Sequence, residues 1–141
     1  MLGVENPILM RANEVNLADD EEMICFAEFG EARAYRLSEF RLQASKHLMH
    51  DQVGSVSIVV SHCDLSGCTR VFQAQSANIR VGGITMSKQL VLRVDDKLFP
   101  LDSREIPLDE IEFVVTTWKQ WRELHPDTLV YLGDSQKQPL D

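Results

Sequence analysis

The run VGSVSIVVSHCDLSGCTRVFQAQS (residues 53–76) constrains the fold more than any other stretch. Val and Ile crowd its first half, and TRVFQAQS resumes β-like character after a short Gly-containing turn. That pattern is a strand, a tight turn and a returning strand. The same grammar recurs along the chain. MICFAEFGEARAYRL (residues 23–37) reads as a hairpin turning at Gly30-Glu31. Alternation puts Ile24 and Phe26 on one face, and Cys25, Ala27 and Phe29 on the other. NIRVGGITM (residues 78–86) is a short strand pair or a bulged strand, because Gly82-Gly83 permits backbone that a Cβ would forbid. QLVLRVDDKLFPLD turns at Asp95-Asp96, and EIEFVVTT and TLVYLG are further strands. About seven to nine strands result.

Helical signals are fewer. In TTWKQWRELHP, Thr117 fits an N-cap with Gln120 three residues on, the capping-box arrangement. Trp118 and Trp121, continued by Leu124 or His125, form an apolar stripe, and Pro126 ends the helix. LSEFRLQASKHLMH (residues 37–50) shows Phe40, Ala44 and His47 or Leu48 at helical spacing, with Ser38 as its cap. A helical turn is also expected around Ala18 to Glu22. The expected class is therefore α+β: a mainly antiparallel twisted sheet or partly closed barrel with two or three short helices. With 141 residues the chain suits one domain. We expect it over residues 1–133, with residues 1–22 as an extended arm and 134–141 as a frayed tail.

Charge narrows the partners. Asp and Glu total 22 against 14 Lys and Arg, a formal net charge of -8, so the field repels phosphate backbones and nucleic acid is not expected. The apolar runs are too short to span a bilayer, and the N-terminus lacks a basic region followed by an apolar one, so neither membrane insertion nor a secretory signal is expected. Three cysteines are an odd number, unlike a disulfide-stapled secreted scaffold. Cytoplasm is the default expectation. Exposed sheet edges leave room for a homodimer.

FGEARAYRL, HDQVGSVSIVVSHCDLSGCTRVF and VVTTWKQWRELHPDTLVYL follow one another here in the order of the blocks of a prokaryotic family catalogued as a domain of unknown function. NPILMRANEVNLADDEEMICFAEF resembles that family's N-terminal segment, so the resemblance spans roughly residues 5–133. Typical members carry a Cys-x-x-Cys-Gly turn, a His shortly before an Asn-Asp pair, and a Trp-Ser-Gln element. Here Cys63 and Gly67 match the turn, but Ser66 stands at the second cysteine position and Cys68 follows two residues later. His50-Asp51 stands at the Asn-Asp pair, Lys46 at the preceding His with His47 beside it, and Phe99-Pro100-Leu101 at the Trp-Ser-Gln element. The resemblance implies the fold and carries no activity.

The candidate site is the cysteine turn. Cys63, Cys68, His62, His47 and His50 offer thiolate and imidazole, the ligands zinc and soft transition metals prefer. On a helix, His47 and His50 would share a face. Against this, alternation puts His62 and Cys63 on opposite faces, and a Cys-x4-Cys pair is half a zinc motif. A Cys63–Cys68 disulfide or redox couple and plain packing are the alternatives. Cys63 with His47 or His50 and Asp51 has the residue types of a nucleophilic site. Trp118 and Trp121 read as a core stripe rather than a stacking platform, and His125 as a helix cap. Arg33 and Arg36 read as solvated surface, and Asp19 to Glu22 and Asp95-Asp96 as turns rather than calcium ligands. No cofactor is expected beyond the zinc or transition-metal alternative. The leading expectation is a soluble, non-enzymatic module that binds a small ligand or a protein. The alternative is a metal or thiol-redox protein centred on Cys63 and Cys68.

Overall fold

The computed structural model describes residues 3–5, 7–41 and 47–133. They fall into two compact units: residues 3–5, 40–41 and 47–111, and residues 7–39 and 112–133. Strands dominate both, and the described helices are one α-helix and two 3-10 turns.

The first unit holds two sheets. One is β1 (Val4–Glu5), β5 (Leu48–Val53), β6 (Val56–His62) and β7 (Thr69–Gln73), in that spatial order. The β1–β5 pair is parallel and the others are antiparallel. The other sheet is β8 (Ile79–Ile84), β9 (Leu90–Val94) and β10 (Lys97–Pro100), all antiparallel with β9 central. Leu48, Val59, Phe72, Leu90, Leu92 and Leu101 lead its buried core. The bulge expected at Gly82-Gly83 is present, with the register shifting between Val81 and Gly83. A Cβ on Gly82 would come within 2.8 Å of Leu98 Cδ2, so a larger residue there would displace the Leu98 side chain. The β9–β10 turn falls at Asp95-Asp96 as expected, with Asp95 at φ 54°.

One expectation here is overturned. Residues 48–53 are strand, not helix; residues 42–46 of the expected helix lie outside the described residues. Val53 pairs with Val56, so Gly54-Ser55 is a two-residue hairpin loop, and Gly54 has φ 62°. Glycine at the first central position is the type II′ signature. Full-length pairing with β6 buries Leu48, Met49 and Val53, which outweighs the local helical spacing.

The second unit is a five-stranded sheet carrying the helix. It comprises β2 (Met10–Arg11), β3 (Glu22–Glu28), β4 (Glu31–Arg36), β11 (Val114–Thr117) and β12 (Leu129–Tyr131), ordered β11-β3-β4-β12-β2. Only β12 runs parallel to its neighbour β4; the other pairs are antiparallel. The β3–β4 hairpin forms, but Glu28 pairs with Glu31, so its loop is Phe29-Gly30, one residue earlier than expected. Both loop residues have positive φ, 56° and 76°, the type I′ requirement. Ala18 to Glu22 makes a single turn closed by Glu21 N to Ala18 O (3.1 Å) instead of a helical segment. The first arm also contributes β1, β2 and a 3-10 turn at Ala12–Glu14.

Helix α1 (Trp118–Leu124) starts where the sequence says. Thr117 caps it, its hydroxyl accepting the Gln120 N–H at 3.3 Å. The Gln120 side chain turns instead to the Thr116 hydroxyl (2.5 Å), so only half the capping box is made. Trp118 and Trp121 are buried with Met23, Cys25, Ala34 and Val130, while Leu124 is 71% exposed. His125 closes the helix by donating its N–H to Trp121 O (2.8 Å), and its backbone has left the helical region, as the residue before a proline must. The expected partly closed barrel is not formed. The strands divide among three open sheets, each with a linear strand order, so none closes on itself among the described residues.

Candidate functional site

In the first unit, the β6–β7 ladder ends at His62 opposite Thr69, and beyond it Cys63 faces both Gly67 and Cys68. Cys63 N donates to Cys68 O (2.8 Å), and Gly67 N to Cys63 O (2.7 Å). The chain therefore reverses over residues 64–67. Gly67 has φ 77° and open space where a Cβ would stand, so its need for glycine is conformational and not steric. Ser66 donates its hydroxyl to Gln89 Oε1 (2.8 Å) and accepts the Cys68 N–H (3.3 Å). The Cys63 thiol points to Lys88 O (3.6 Å). This turn is thus tied to a second one at residues 85–89, itself closed by Thr85 N to Gln89 O (2.8 Å).

The histidines are distributed around this hairpin. His47 is buried, with Nε2 2.7 Å from Asp64 Oδ1, and so pins the first residue of the turn. His62 is also buried, with Nδ1 2.7 Å from Thr69 Oγ1 across the ladder. His50 lies within β5 opposite Val59, so His47 and His50 share no helix face. Among the described residues, no three of His, Cys, Asp and Glu lie together in a way that would hold a metal ion. Cys63 and Cys68 are free thiols, the first fully buried and the second half-buried. Burial pushes the Cys68 thiol up; Arg70 pulls it back, and Asp102 and Cys63 add to the rise. Arg70 in turn donates to Leu101 O (2.8 Å) and Ser103 O (2.6 Å) and pairs with Glu110. Leu101 is itself a core residue.

The family model described as "Protein of unknown function (DUF3179)" matches residues 3–139. The chain belongs to that family. No curated protein and no solved structure matches it.

Sequence reasoning missed the second region of interest in this DUF3179 chain. In the second unit a cleft of about 330 Å³ is lined by Cys25, Phe26, Phe113, Val114, Trp121 and His125, with Ala27 and Glu112. The His125 ring packs on Trp121 (centroids 4.2 Å apart), and the Trp121 indole donates to the Thr128 hydroxyl (3.0 Å). Burial drives the Cys25 thiol far above its usual range, so it stays neutral. Val114 begins β11, the outermost strand of its sheet. Val114 and Val115 are both exposed, at 50% and 43%. Since neighbouring residues point to opposite faces, this edge is apolar on both sides.

The bond from Trp118 N to Glu21 O (2.8 Å) sets the phase of the β3–β11 ladder. Thr117 opposite Glu22 is then a non-hydrogen-bonded pair, and alternation makes Val115–Ile24 another. Val114 directs its N–H and C=O at Cys25, while Val115 directs both away from β3. Among the described residues, no strand pairs with that outer edge. The sequence carried one available signal, two adjacent Val before a helix cap. It could not say that β11 would be outermost.

Arg33 is a further correction. It is buried at 4% exposure and paired with Glu31 (2.7 Å), not solvated surface. It lies on β4 between β3 and β12, opposite Phe26 and Leu129, so neighbouring strands cover its stem. Arg36 is partly exposed and pairs with Glu21 (3.3 Å).

Proposed function

We propose that this domain is a non-enzymatic binding module whose ligand is an extended peptide added along the outer edge of β11. The observation that carries the reading is the outward N–H and C=O of Val115 on an exposed apolar edge strand beside a cleft. Main-chain bonds to such an edge supply affinity, and alternate side chains dropping into neighbouring pockets supply specificity. Charge complementarity favours a peptide with apolar residues between basic ones. Glu112 lines the cleft just before β11, and in a second cleft, which Thr117 also lines, Asp19, Asp20 and Glu123 outnumber Lys119, with Asp19 paired to Arg122 (3.3 Å). The four residues of β11 span roughly 13 Å, enough for a short peptide.

The test is selection of random heptapeptides on immobilised protein, repeated on Val115→Pro. Proline is tolerated on an edge and removes only the outward N–H. Enriched peptides that are apolar and basic and that fail on Val115→Pro support the reading. Enrichment that survives the substitution, or no enrichment at all, contradicts it.

A further inference from the structure

We propose that Cys63 and Cys68 are a reversible dithiol that closes into a disulfide across the hairpin loop, with a low-molecular-weight disulfide as the oxidant. This inference is independent of peptide binding at β11. Its first support is register. Just past the last ladder pair, His62 and Thr69, Cys63 N donates to Cys68 O (2.8 Å) while Cys63 O accepts from Gly67 N (2.7 Å), so Cys63 faces Gly67 and Cys68 together. A backbone bond of this kind across two antiparallel strands goes with Cα atoms about 5.5 Å apart. That spacing lies inside the roughly 4.4–6.8 Å window a disulfide accepts. Both side chains join the same apolar cluster, which keeps the two sulfurs on one side of the hairpin.

The second support is the difference in exposure, which orders the chemistry. Cys63 has no exposed surface, while Cys68 is half-buried and reachable. The Cys68 thiolate attacks the small disulfide RSSR, forming the mixed disulfide Cys68–S–SR and expelling RS⁻. The Cys63 thiol then attacks the Cys68 sulfur, its proton passing to the departing sulfur, which leaves as RSH. In sum, two protein thiols and RSSR give one protein disulfide and two RSH. Cys25 is fully buried on another sheet and stays out of the exchange. Closure also consumes the thiol hydrogen that Cys63 directs at Lys88 O, so the turn at residues 85–89 loses a tether.

The experiment uses the intact native protein with excess oxidised glutathione, quenched by alkylation in denaturant and mapped after trypsin. Cleavage at Lys46 and Arg70 leaves both cysteines in one peptide, apart from Cys25. The expected result is that this peptide loses two hydrogens and resists alkylation, while Cys25 is alkylated in full and dithiothreitol restores both thiols. Cys63→Ser is expected to stop at the glutathione adduct on Cys68, and Cys68→Ser to give no adduct. Complete alkylation of Cys63 and Cys68 in the wild type, or a lasting Cys68 adduct there, overturns the proposal. If Cys63→Ser does not fold, the wild-type map decides alone.

Discussion

The turn at residues 63–68 and the edge at β11 are opposites in how their polar groups are used. In the turn, the Cys63 N–H, the Gly67 N–H, the Ser66 hydroxyl and the Asp64 carboxylate all have partners within the unit. At β11, the outward N–H and C=O of Val115 pair with no strand among the described residues, and two valines stand exposed. The chemically conspicuous motif is therefore bound into its own scaffold, and the plain aliphatic one faces outward. Residue type marks where chemistry is available, but hydrogen-bond accounting marks where a partner can be accepted.

The largest expected effect comes from the helix behind the edge. Trp121→Ala removes a buried indole and its bond to Thr128, and should lower unfolding stability by about 3–5 kcal/mol in denaturant titration. Substitutions on β11 itself sharpen the comparison. Val114→Pro removes an N–H directed at Cys25 and should cost about 2 kcal/mol, whereas Val115→Pro should change stability by less than about 0.5 kcal/mol. Equal losses would mean that the phase assigned to the ladder is wrong.

Next comes pH. The Cys25 thiol is raised in the folded protein, so its contribution is fully present below the unfolded thiol's pKa. Above that point the unfolded state ionises and the folded state does not. Stability should therefore fall by up to about 1.4 kcal/mol per pH unit above roughly pH 8.5, and Cys25→Ala should flatten that part of the curve. The turn gives a smaller loss than the ladder bond at Val114. Gly67→Ala meets no atom and carries only the penalty of a left-handed backbone, about 1 kcal/mol by thermal unfolding. A much larger loss would show that the turn is packed more tightly than its geometry indicates.

Much of this fold was legible in local signals. The β3–β4 and β9–β10 hairpins, the bulge at Gly82 and the capped helix at Thr117 each rest on chemistry that acts within a few residues. Long-range pairing was not legible. Leu48 to His50 close a run of helical spacing, yet pairing with β6 makes Leu48–Val53 a strand that turns at Gly54-Ser55. Arg33 looked like surface because arginine usually is; neighbouring strands on both sides of β4 bury it. At the cysteine turn, residue types suggested a ligand cluster, but the His47–Asp64 and His62–Thr69 bonds depend on tertiary placement that spacing does not encode.

Amide hydrogen exchange at two adjacent residues tests the central claim most directly. In the ligand-free protein, the Val114 N–H should be protected by its ladder bond to β3, and the Val115 N–H should exchange at a rate close to that of exposed backbone. Strong protection of both amides would contradict the account, because it would mean that the outer edge of β11 is already covered.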